Sequence, residues 1–336
     1  MMKLKGVKVL EVNDDYLLGV KGYSLIKYDF LQKKAIPYAK VVDNKYAPFS
    51  KCCLPRRFLR AEITGLYTLS DGTQLVIAKK GIFRKEANAD SFIKTFAIPR
   101  GSRPLNLCIT PSGKIYFGEY FANVEKKAVC VYCSKDNGHT WKIAYSIAEG
   151  SINHIHGLFW DKFKNRLWMC TGDRDDECII GYTEDEFNTF VEVFRGRQEY
   201  RTCHLFFYDQ FILFATDSQY IENEIKYFDR EKLCINILQK IQGTAIKGGQ
   251  CGDISFISTT VEPSKVNKDT FSHLWLTKDG LHWKEVYKAE KDILPHIFQF
   301  GNIEFPQYRI SKPLKELFFS GRALKNIDGC SLSIDI

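Results

Sequence analysis

No stretch of about 18 consecutive apolar residues occurs in the 336 positions, so the sequence offers no membrane-spanning helix. The opening MMKLKGVKVLEVNDDYLLGV has no continuous apolar core and no small-residue cleavage site, which predicts a cytoplasmic chain and no membrane partner. Paired CxxC elements are missing: CVYC at 130–133 has the spelling but no second pair, and its alternation reads as a strand. The 11 cysteines are odd in number, and Cys108, Cys130 and Cys170 lie inside apolar runs, as reduced core thiols do. Dense basic blocks are absent as well. The net charge of +8 is scattered, which favours anionic ligands slightly and excludes a nucleic-acid footprint. Helical periodicity is nearly absent.

Strand-forming residues fill the space left by these absences. Apolar residues make up 45% and aromatics 14%, with 17 Tyr and 25 Phe, enough for a large core and a bias toward sheets. The octapeptide SKDNGHTW at 134–141 is a self-sufficient turn: Asp136 can accept from its own backbone, Gly138 can take a positive φ, and Trp141 can fold back on the sheet. It has relatives. TEDEFNTF at 183–190 keeps Asp185 and Thr189, and TKDGLHW at 277–283 keeps Asp279, Gly280 and Trp283. Ser134 to Thr183 is 49 positions, and Thr183 to Thr277 is 94, or twice 47. YFDREK at 227–232 and FRKEAN at 83–88 fall near the remaining steps.

A unit of about 45–50 residues with four short strands is a propeller blade. Dividing 336 by 48 gives seven, so the sequence predicts an all-β, seven-bladed β-propeller of four-stranded blades, with six blades as the alternative. Blades are expected to begin near residues 5, 61, 104, 152, 201, 246 and 296 of a single domain spanning 1–336. The last blade is one strand short, and the N-terminal GVKVLEV is expected to complete it. Residues 36–60 read as a loop-like insertion. The turn resembles the Asp-box, or bacterial neuraminidase repeat, of sialidase-like β-propellers. That resemblance implies a turn between the third and fourth strands of a blade, on the face opposite the ligand site, with a structural role.

Ligand sites in propellers gather where first strands start and second strands end. HIHGLFWD and CHLFFYD start successive blades, with His154 and His156 in the first and His204 in the second. His156, His204, Gln250 and His296 are separated by steps of 48, 46 and 46, close to the blade repeat. Read as a ring, they would hold a divalent Mn, Zn or Fe ion. Read plainly, they cap loops or bond across a channel. Oligogalacturonate lyases resemble this arrangement in holding a divalent ion with His and Gln, although their clustered spacing on one segment is missing here.

Second-strand ends supply acids: Glu119 with Tyr120, Asp173 with Arg174, and Asp217. Like charges at one level push carboxyl pKa values apart, as acid and base roles require, although an Asp at a strand end also caps turns. The candidate catalytic set is therefore His156, Asp173, Glu119, Tyr120 and Asp217. Arg201, Arg103, Arg174 and Arg322, with His154, are the candidates for substrate binding, since guanidinium groups clamp carboxylates in pairs. Tyr120 beside Glu119 is similar to the sialidase nucleophile and its partner, but the early arginine–isoleucine–proline motif is missing. The expected ligand is an acidic, uronate- or sialate-containing oligosaccharide, cleaved by hydrolysis or metal-assisted elimination. The alternatives are a glycan- or protein-binding propeller without catalysis and a scaffold. Oligomeric state is left open.

Overall fold

The computed structural model describes residues 2–336. Its backbone gathers into two compact units, Met1–Pro99 with Ala289–Ile336, and Arg100–Lys288. Both are built from antiparallel four-stranded blades, as alternating apolar residues punctuated by turns require. In the first unit two blades join into one nine-stranded sheet through the parallel pairs of Lys40 with Ser91 and Val41 with Phe92, and Gln307–Arg309 adds a parallel strand beside Glu11–Asn13.

Arg100–Lys288 contains four blades. Their strands are Cys108–Ile109, Ile115–Gly118, Val129–Ser134 and Lys142–Ile147; then His154–Asp161, Arg166–Gly172, Ile179–Thr183 and Val191–Arg195. The next two are Thr202–Phe207, Phe211–Thr216, Asn223–Asp229 and Ile235–Ile241, followed by Thr244–Cys251, Ile254–Thr260, Phe271–Thr277 and Trp283–Glu290. Apolar side chains from adjacent blades fill the space between them. Val131, Leu158 and Met169 share one such core, Trp168, Leu205 and Phe214 the next, and Phe206, Ile257 and Trp275 a third.

The other unit holds three blades, which brings the total to the expected seven. Two are Lys8–Asn13, Tyr16–Lys21, Ser24–Asp29 and Lys34–Val41, and Ile63–Thr68, Gln74–Ala78, Gly81–Lys85 and Ser91–Ala97. The last takes Asn302–Glu304, Glu316–Arg322 and Ser331–Asp335, and Lys3–Leu4 completes it by pairing Lys3 with Leu332. GVKVLEV therefore does not complete the last blade. Gly6 turns the chain at a φ of +65°, and the segment after it opens a blade of its own.

The insertion is also shorter and more ordered than its loop-like sequence. Lys34–Val41 is the outer strand of its blade, where Pro37 removes an N–H without breaking a central ladder. Beyond it lie a 3-10 turn, Ala47–Lys51, and the α-helix Cys53–Leu59. Buried Arg57 anchors that helix by donating to the Phe298 carbonyl at 2.6 Å and by pairing with Asp292.

The three repeated turns occupy the expected place between third and fourth strands, and they share one hydrogen-bond pattern. Ser134 donates to Asp136 at 2.8 Å and accepts from the Gly138 N–H, while Asp136 accepts from the Thr140 N–H at 2.9 Å. Thr183 and Asp185 repeat these bonds with Phe187 and Thr189. Thr277 and Asp279 repeat them with Gly280 and His282, one residue shorter. All 11 cysteines are free thiols. No helix among the described residues is long and apolar enough to cross a membrane.

Candidate functional site

At one end of the four blades of Arg100–Lys288, first-strand starts and second-strand ends bring several titratable side chains together. His154 opens its blade opposite Gly172, and the register slips between Ile155 and Gly157, so His156 sits on a bulge. The two imidazoles stand 5.1 Å apart, with the Tyr120 ring 4.2 Å from His154. Gly172 is needed here: a Cβ on it would lie 2.6 Å from His156 Cε1 and 3.0 Å from Arg201 Cγ.

Backbone carbonyls orient both rings. His154 Nδ1 lies 3.0 Å from the Phe121 oxygen and His156 Nδ1 3.0 Å from that of Thr202, so each Nδ1 carries the donated proton. Each Nε2 then faces Asp173 Oδ1 at 3.7 Å. Asp173 Oδ1 also meets Arg201 Nη2 at 3.0 Å, and its Oδ2 accepts from Asn153 at 2.5 Å. Arg201 Nε lies 3.7 Å from Asp217, which accepts from the Cys203 thiol at 3.3 Å.

Burial and the neighbouring His156 push the His154 pKa down to about 4. Asp173 is held well below the usual carboxylate range: burial opposes this, but the neighbouring His156 and His154 rings and the Arg201 guanidinium outweigh it. Asp217 is pushed up by burial despite Arg201. Burial likewise raises the Tyr120 phenol well above its ordinary value, which leaves it neutral.

Glu262 belongs to this group and was missed in the sequence. Burial, with Asp217 nearby, raises its carboxyl to about 7, while Gln219 and Thr244 donate to it at 2.7 and 3.3 Å. The signal was available: FISTTVEP ends a second strand, as the segments before Glu119, Asp173 and Asp217 do.

Other candidates fall elsewhere. Glu119 does not face the cluster; Arg100 grips both of its oxygens, and the Cys130 N–H donates to it at 2.9 Å. Arg174 is exposed, and Arg103 is half-buried ahead of Cys108–Ile109. Arg322 lies in the other unit, 2.9 Å from Glu62 and 2.6 Å from Glu304, which also pairs with Lys8 at 2.6 Å.

Of the expected ring of His156, His204, Gln250 and His296, the three members within Arg100–Lys288 do not share a site. His204 packs against Phe159 and Phe206. Gln250 bonds both backbone groups of Phe207 at 3.0 Å, tying one blade to the next. His296 sits exposed in the other unit against Phe300. Among the described residues, His156 instead shares metal-donor groups with His154 and Asp173, and with Cys203 and Asp217.

No family model matches the chain, and no curated protein matches its sequence. Its backbone is similar to that of solved propellers. The WD40 β-propeller domain of Doa1 matches at a TM-score of 0.59 with 11% identity, over 99% of this chain and 95% of that one. A chain of the mitotic checkpoint complex matches at 0.58 with 8% identity, over 100% and 93%. A chain of a nidogen/laminin complex matches at 0.52 with 11% identity, over 85% and 96%. The fold is a β-propeller. At these identities the likeness speaks for the fold alone.

Proposed function

We propose that this chain is a non-catalytic binding propeller whose partner is a protein. The observation that carries the reading is an exposed apolar patch on a rigidly held insert. Leu54 and Phe58 of the helix Cys53–Leu59, and Ile293 and Ile297 of the segment beside it, are 49%, 54%, 98% and 67% exposed. The Phe58 ring lies 5.9 Å from that of Phe298, tilted by 50°, and the Arg57 bonds to Phe298 and Asp292 hold the two segments side by side. Apolar side chains kept in solvent by an anchored frame mark an interaction surface. Internal pairing of the candidate acids and arginines points the same way, since Glu119 is matched by Arg100, Asp173 by Arg201, and Arg322 by Glu304. Two of the similar chains come from multiprotein complexes.

Leu54→Asp with Phe58→Asp is the test. Proximity labelling in cells that express the protein should lose a defined set of partners, while the circular dichroism spectrum stays unchanged. An unchanged partner set would overturn the reading, and so would cleavage of any oligosaccharide in a uronate and sialate panel.

Glu262 favours one second reading, an enzyme acting on an acidic oligosaccharide, because a carboxyl that titrates at about 7 suits proton transfer. Cleavage by the wild type that is abolished in Glu262→Gln would establish it.

A further inference from the structure

We propose that His154, His156 and Asp173 bind one first-row divalent transition-metal ion. The donors differ from those of the equally spaced ring, and the site does not depend on the protein partner. Three observations carry it. The first is the direction of the lone pairs. Both imidazoles give their Nδ1 proton to a backbone carbonyl at 3.0 Å, so in the neutral rings each Nε2 presents a lone pair. Both lone pairs face the same carboxylate oxygen, Asp173 Oδ1, at 3.7 Å, which is too long for a hydrogen bond. Arg201 offsets the carboxylate from one side, but the two Nε2 lone pairs turned toward it repel it and each other unless a cation sits between them.

The second observation is burial. His154 is 7% and His156 1% exposed, and His154 Nε2 is a buried atom with no hydrogen-bond partner. Leaving such an atom unsatisfied is costly. The third is spacing. The donor atoms of His154, His156 and Asp173 all lie within 4.8 Å of one another. An ion about 2.1 Å from each in tetrahedral geometry would set them about 3.4 Å apart, so the 3.7 Å separations need to close only slightly.

The surroundings are those of a metal site. Each ligating imidazole would be fixed through its other nitrogen, and Asn153 and Arg201 steady the carboxylate at 2.5 and 3.0 Å. The Arg201 charge opposes a cation but is shared with Asp217 at 3.7 Å. Two imidazoles and one carboxylate suit zinc, cobalt or ferrous iron better than magnesium or calcium, and they leave further positions open to water or a ligand.

The test uses the full chain, stripped with a chelator and titrated with Co2+, whose visible absorption reports nitrogen ligation, and then with Zn2+ in calorimetry. One equivalent of Co2+ should give a d–d spectrum that Zn2+ abolishes. His154→Phe preserves a ring beside Tyr120 while removing the donor. It and Asp173→Asn should each weaken binding by more than the roughly 10–100-fold that loss of a mere supporting group costs. His204→Phe should bind as the wild type does. No stoichiometric uptake by the wild type, or wild-type affinity in a folded His154→Phe protein, would overturn the proposal. If His154→Phe fails to fold, the Asp173→Asn titration decides alone.

Discussion

The His204 ring lies 4.9 Å from Phe159 and 4.8 Å from Phe206, and burial, with Lys247 nearby, pushes its pKa down to about 3. In the unfolded chain the same ring titrates near 6.5. Its depressed value means that the unfolded state binds a proton first as pH falls. Stability is therefore intact above about pH 6.5 and is lost as pH drops toward 3. His204→Phe removes that proton while keeping an aromatic ring. At pH 7 the variant should match the wild type, and at pH 4.5 it should be more stable by on the order of 2–3 kcal/mol. Urea midpoints at the two pH values measure this, and an equal difference between the proteins at both would refute it. The residue also shows why the site was only partly legible. Residue type and spacing singled out His154, His156, Asp173, Arg201 and Asp217, which do assemble, because strand starts and strand ends can be read from pattern. What a side chain faces could not be read: Glu119 turns to Arg100, and His204 turns to phenylalanines.

Turns carried the fold signal because their chemistry is local. Asp136, Asp185 and Asp279 each accept a hydroxyl proton from a Ser or Thr two residues earlier, at 2.8, 2.9 and 3.0 Å, a pattern a sequence displays directly. Inner strands are less transparent. Their register slips between Ile63 and Gly65, Ile155 and Gly157, Thr202 and Leu205, and Thr244 and Lys247. Each extra residue displaces the remainder of its strand, so equal steps along the chain end at unequal depths. Gln250 pairs with Ser255 beside its hairpin, whereas His156 lies near the opposite end of its strand, next to Gly172. Pro37 hid the end of an outer strand for a related reason, since the residue reads as a breaker but is tolerated on the part of Lys34–Val41 that pairs on one side only, ahead of the parallel pairs of Lys40 with Ser91 and Val41 with Phe92. For the turns, Asp136→Ala removes acceptors from the Thr140 N–H and hydroxyl and from Ser134. It should cost about 1–2 kcal/mol in chemical denaturation and leave Co2+ uptake unchanged. Loss of uptake in a folded variant would mean that the turn does more than hold strands.

The two units differ in how the chain makes them. Arg100–Lys288 is continuous, whereas the other must unite Met1–Pro99 with Ala289–Ile336. They differ in charge around the ends of second strands as well: Glu119, Asp173, Asp217 and Glu262 follow within two residues in the first, whereas Lys21 and Arg322 end theirs and Lys79 follows directly in the second. The discontinuous unit depends on a short seam. Lys3 pairs with Leu332 and Leu4 with Ser331, the Met2 N–H donates to Ser333 Oγ at 2.9 Å, and Leu4 packs beside Val9, Leu17 and Phe318. Without this strand, Ser331–Asp335 becomes an unpaired edge whose N–H and C=O groups face solvent or another chain. A few backbone hydrogen bonds at roughly 0.5–1.5 kcal/mol each, plus one partly buried leucine, amount to about 2–4 kcal/mol. Deleting residues 2–5 should lower the thermal midpoint measured by calorimetry and increase aggregation on heating. Leu4→Asp keeps the backbone strand while removing its apolar contact, so it should fall between the truncated and intact proteins. A truncated protein with the full-length midpoint would show that the last blade is held by its own three strands, and the role of the seam would be lost.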